Sequence, residues 1–213
     1  MRARHCLVWI LVLLPLSSAS PQSPPSGPRA ILPRSHEIAL ARSAAPAEVS
    51  RNATVLALTP KGFEVAERGS NGVTCLVNRS QPESLEPECF DPEGSQTIMP
   101  MEVRRTEQLQ AGRSPRDIDR EIADGVLSGK YRFPRRPAMI YMLSSAQVLF
   151  SEEGKRVGQW HPHLMIYYPG LTAADLGLRS DSTPQGPVIV DHEGKPQSTI
   201  IIIQSAFVDP APE

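Results

Sequence analysis

The chain has 213 residues, 40% of them hydrophobic, a formal net charge of −1 and a pI near 6.5. That composition suits one globular domain with a polar lead-in. The near-neutral balance gives no electrostatic basis for binding nucleic acid or an anionic membrane surface.

The first residues read as a secretory signal. Arg2 and Arg4 precede Leu7–Leu16, an apolar run too short to cross a bilayer, and small residues follow up to Ala19. Cleavage is expected after Ala19, which would take the net charge to about −3. The expected product is secreted or periplasmic, with no membrane insertion after the signal is removed. Residues 20–34 are proline-rich and aperiodic, the signature of a disordered tether. Residues 35–213 are then expected to form a single domain.

Loss of Cys6 with the signal leaves Cys75 and Cys89, and an oxidising compartment predicts a disulfide between them. Ser35 is a candidate cap for a short helix over His36–Ala45, which Pro46 ends. Three strand-like runs follow, Thr54–Leu58, Phe63–Glu67 and Val73–Val77. Pro60-Lys61-Gly62 and Asn71-Gly72 separate them, which predicts a β-meander with Cys75 on its third strand. In this reading Cys89 pins the Pro/Glu-rich loop to the sheet. Asn52 and Asn78 each begin an acceptor pattern for N-glycosylation, a motif short enough to arise by chance.

Met101–Ala111 reads as helical. The next helix is better specified: Ser114 caps it, Pro115 opens it, Asp117 lies three residues past the cap, and Ile118, Ile122 and Val126 share one face. Met139–Leu143 and Ala146–Phe150 are strand-like, and Glu152–Lys155 forms a turn into Trp160–Tyr168 as the second arm of a hairpin. A similar turn, Asp191–Lys195, links Val188–Val190 to Ser198–Val208. Ile200–Ile203 is apolar at every position, as in a central strand covered on both faces. The fold class predicted is α+β: a mainly antiparallel, meandering sheet with one or two packed helices and one disulfide.

Chemistry-bearing residues concentrate in two places. On a strand, His161 and His163 would project to one face and could meet at one metal ion. Asp191, His192 and Glu193 are the concentrated source of further ligands, and zinc or another divalent transition metal would suit the set. Against this stands Pro162, which favours a strand edge or bulge, and histidines among aromatic residues serve equally as hydrogen-bonded packing groups. No nucleophile elbow or glycine-rich phosphate loop occurs, and catalytic residues are not assignable. The leading expectation is a non-enzymatic binding or accessory protein without a cofactor, whose partner is a protein or small molecule. The alternative is a metal-binding, hydrolytic protein using the His-x-His pair.

Overall fold

The computed structural model describes residues 31–151, 153–178 and 188–212. The expected signal and most of the expected tether lie outside them.

Helix α1 (Arg34–Arg42) begins directly after Pro33, which takes the cap position with an extended backbone. Ser35, the expected cap, lies inside the helix, because a proline with ψ near 140° already sets the entry angle. Leu40, Ala41, Ala44 and Ala45 are fully buried, and Leu32 of the expected tether packs on the same core. A single turn, α2 (Ala47–Ser50), follows Pro46.

Strands β1 (Thr54–Thr59) and β2 (Gly62–Glu67) form the expected hairpin. The next step departs from a meander. Strand β3 (Thr74–Asn78) pairs parallel to β1, not beside β2. Residues 68–73 cross the start of β1 and are tied there. Gly69 N–H donates to Thr54 Oγ1 at 3.0 Å, Ser70 N–H to the Asn52 carbonyl at 2.8 Å, and Asn71 Nδ2 to the Val49 carbonyl at 2.8 Å. A Cβ on Gly69 would stand 2.2 Å from the Thr54 nitrogen, so the crossing requires glycine. The Asn71-Gly72 pair therefore serves a crossover and not a hairpin.

Strand β4 (Glu86–Phe90) runs antiparallel to β3 with Cys75 directly opposite Cys89, and the two form a disulfide. The bond joins two strands; it does not pin a loop. Helices α3 (Gly94–Thr97), α4 (Met99–Gln110) and α5 (Pro115–Leu127) follow. In α5 the Ser114 hydroxyl accepts from Asp117 N–H, the cap its sequence predicts, and Ile118 and Ile122 are buried.

Strand β5 (Ala138–Met142) returns to the sheet beside β4. The short strands β6 (Leu149–Phe150) and β7 (Arg156–Gly158) make a separate two-stranded ribbon. Strand β8 (His163–Tyr167) then pairs with β5 and not with the preceding ribbon. The expected hairpin arm is thus an interior strand, and Pro162 lies just before it, where no ladder donor is lost. Strands β9 (Val188–Asp191) and β10 (Thr199–Ile203) complete an eight-stranded sheet in the order β2-β1-β3-β4-β5-β8-β10-β9.

Alternation along the strands splits the core in two. On one face α1 packs over β1, β3 and β4, burying Val55, Cys75, Val77 and Cys89. On the other, α4 and α5 cover Leu76, Phe90, Ile140 and Met142 with Ile98, Met101, Ile118 and Ile122. The architecture is α+β around one large mixed sheet. Helices cover the β1–β5 half on both faces.

Candidate functional site

The residues singled out from sequence fall in two separate places. His161 is exposed and precedes β8; Pro162 and His163 are buried. His163 Nδ1 lies 2.7 Å from the His161 carbonyl oxygen. A carbonyl only accepts, so in the neutral ring Nδ1 carries the proton and Nε2 is left as the acceptor. Burial lowers the His163 imidazole below its ordinary range, and the bond to the His161 carbonyl opposes that in part.

Asp191 closes the far end of β9. The ladder aligns Asp191 with Thr199 and Thr199 with Tyr167, whereas His163 aligns with Ile203. Four residues of strand therefore separate the two levels, about 13 Å along the sheet. His192 is exposed with φ of 50°, its backbone N–H donating to Asp191 Oδ1 at 2.8 Å. Glu193 Oε1 accepts from Ala173 N–H at 2.6 Å and ties the turn to the 3-10 turn Ala174–Leu176. The structure thus does not bring Asp191–Glu193 to the His163 level. Among the described residues no group of three or more His, Cys, Asp and Glu side chains is arranged to hold a metal ion.

A second polar cluster lies between β4 and α4. Glu86 and Glu88 alternate onto the α4 face of β4, and each is only 7% exposed. Glu102 reaches them from α4. Asn78 is the hub: its Oδ1 accepts from Thr106 Oγ1 at 2.7 Å and from Arg79 N–H at 2.8 Å. That fixes the amide orientation, so Nδ2 donates to Glu88 at 3.2 Å and to Glu102 at 3.3 Å. Glu86 accepts from the backbone N–H of Ser80 at 3.0 Å and from its hydroxyl.

The nearest guanidinium in sequence, Arg79, points to the opposite face. There it forms a buried bidentate pair with Glu37 of α1, at 3.1 and 2.9 Å. Desolvation pushes the Glu88 carboxyl well above the usual carboxylate range, helped by the charges of Glu102 and Glu86. Burial also raises Glu86 and Glu102, but Glu102 keeps 27% of its side-chain surface and has Arg105 at 3.9 Å. Burial raises the Tyr167 phenol too, with the carboxylates of Glu102 and Glu88 adding to it.

An apolar surface spans the other half of the sheet. On the face that carries α1, the ladder sets two rows across β5, β8, β10 and β9. One row is Met139, Ile166, Ile200 and Val190; the other is Tyr141, Leu164, Ile202 and Val188. All eight are only partly buried, and none is charged. Tyr141 also packs against the core under α1, so this surface continues the face on which α1 sits. The sequence predicts cover on both faces for the isoleucine run Ile200–Ile203; it is paired on both sides, and all four residues are partly buried. At the outer edge β9 has a ladder partner on one side alone among the described residues. Strong β propensity holds these residues in strands whether or not a layer covers them.

The glutamates were missed because Glu86-Pro87-Glu88-Cys89 looks like a Pro/Glu loop. Its period-two pattern, Glu86, Glu88 and Phe90 against Pro87 and Cys89, carries a strand signal. Pro87 is tolerated because the β4–β5 ladder pairs Cys89 and Phe90 and does not extend to it. Comparison with protein-family models, curated proteins and solved structures finds no match to this chain.

Proposed function

We propose that this chain is an exported binding or accessory domain that acts by engaging another protein through the β5–β8–β10–β9 surface. The observation that carries the reading is the double row of eight partly buried, uncharged apolar residues on the sheet face beyond the strands on which α1 packs. Contiguous accessible apolar surface is costly in water, and its concentration on one sheet face supports an interaction site there. The disulfide is consistent with export to an oxidising compartment. Among the described residues no helix is long and apolar enough to cross a membrane.

The test is co-purification from the compartment in which the mature chain resides. A partner held in a stoichiometric complex, resolved by size-exclusion chromatography and mass spectrometry, is the result expected. Reproducible turnover by the pure protein, abolished by a point substitution, would replace this reading with an enzymatic one. Elemental analysis of the same preparation addresses the metal alternative: bound zinc that is lost in His161→Ala and His163→Ala would favour it.

A further inference from the structure

We propose that helix α4 is a proton-operated latch: it docks on the sheet while Glu88 or Glu102 carries a proton, and lifts from it once both are ionised. The device lies on the face opposite the apolar rows and does not rest on the binding reading.

The first support is geometric. Glu88 belongs to β4 and Glu102 to α4, so the two carboxyls close on each other only when the helix is down. They meet at a single neutral donor. Asn78 Nδ2 lies 3.2 Å from Glu88 Oε1 and 3.3 Å from Glu102 Oε2. The amide cannot turn, because its Oδ1 accepts from Thr106 Oγ1 and from Arg79 N–H.

The second is charge. Glu86 stands two residues from Glu88 on the same face of β4. On α4, Arg105 Nε is 3.9 Å from Glu102, but Arg105 Nη1 is engaged by Asp119 of α5 at 2.6 Å. Tyr167 of β8 contributes a phenol and no cation. Arg79 is on the opposite face with Glu37. With every acid ionised, four carboxylates would face one guanidinium, at an interface where Glu86 and Glu88 are buried. A proton on one member of the Glu88–Glu102 pair removes most of that repulsion. In keeping with this, burial and the neighbouring charges hold Glu88 well above the usual carboxylate range, and burial raises Glu102.

The third is leverage. Of the apolar side chains of α4, only Met101 and Leu109 are buried. Much of the rest of its hold is polar: Glu107 Oε1 accepts from Phe63 N–H at 3.1 Å, and Gln110 Nε2 donates to the Thr59 carbonyl at 3.3 Å. Lifting α4 carries Glu102 into water and away from Glu88. The docked state therefore binds the proton more tightly than the lifted one. Docking is strongest below the ordinary carboxylate value of 4.5 and weakens as pH rises through the higher docked value.

Hydrogen–deuterium exchange of the full chain at pH 5 and pH 7.5, read by mass spectrometry, tests the latch. Rates are corrected for the pH dependence of free amides, and α1, on the other face, is the internal reference. The expected result is that protection of α4 falls relative to α1 at the higher pH, by up to about tenfold per pH unit for one proton. The fall should be smaller in Glu88→Gln and in Glu102→Gln. It should persist in Glu107→Gln, which removes a carboxyl of the same helix outside the cluster. A wild-type α4-to-α1 ratio that does not fall overturns the latch, whether the helix stays down or the whole domain opens at once. A fall that persists in full in both cluster variants overturns it as well. The wild-type comparison stands even if a variant fails to fold.

Discussion

Replacing Glu88 with glutamine should stabilise the protein at neutral pH more than in mild acid. The carboxyl is under α4, 7% exposed, with a single amide N–H from Asn78 and the charges of Glu86 and Glu102 nearby. Such a group binds its proton more tightly folded than unfolded. Its stabilisation is fully present below the unfolded value of about 4.5 and is lost as pH rises through the higher folded value. One proton released on unfolding changes the unfolding constant by about tenfold per pH unit. His163 works in the opposite sense, because its folded value is lowered and its stabilisation is lost as pH falls. The wild-type curve mixes the two, so the variant must be read against wild type at each pH. Urea denaturation followed by circular dichroism at pH 5 and pH 7.5 gives the two unfolding constants. The ratio of the wild-type unfolding constant to that of Glu88→Gln should rise from the lower to the higher pH. A ratio that stays flat, or falls, refutes the assignment of a buried, proton-holding carboxyl.

Three further outcomes follow from the packing. Glu37→Gln strands the buried Arg79 guanidinium and should cost about 3–5 kcal/mol in denaturant unfolding, while Glu37→Leu with Arg79→Met should recover most of that. Gly125→Ala puts a Cβ 2.4 Å from the Tyr131 ring; despite the helical preference for alanine, it should lose about 1–3 kcal/mol, restored in part by Tyr131→Leu. Replacing Cys75 and Cys89 together with alanine should lower stability by about 3 kcal/mol without changing the far-ultraviolet spectrum, since both residues lie within an already paired β3–β4 ladder.

The elements most legible in sequence were those with local causes. Ser114, Pro115 and the Ile118/Ile122 spacing specify α5 from within one segment, and the two cysteines that remain beyond the expected signal leave Cys75–Cys89 as the single pairing. Pairing between distant strands was not local. Residues 49–54 and 69–73 have to meet before β3 can lie beside β1, and neither stretch alone carries that information. The same holds for β8, whose partner β5 is separated from it by the whole β6–β7 ribbon. For the candidate sites, the uninterrupted apolar run Ile200–Ile203 reads correctly as an interior strand, but whether a layer covers it is a tertiary fact. The His163-to-Asp191 separation likewise depends on register, which the turns do not encode. The Glu86, Glu88 and Glu102 cluster joins a strand to a helix, and composition gave no sign of it.

The central claim is that the apolar rows across β5, β8, β10 and β9 are a binding surface. It is tested most directly by binding of the co-purified partner to wild type and to Ile166→Thr with Ile200→Thr. Threonine keeps the β-branched shape that strands favour and so spares the ladder while making the centre of the surface polar. The account predicts that the double variant keeps its disulfide and a cooperative unfolding transition but binds the partner at least tenfold more weakly. Unchanged affinity in a folded variant would contradict it.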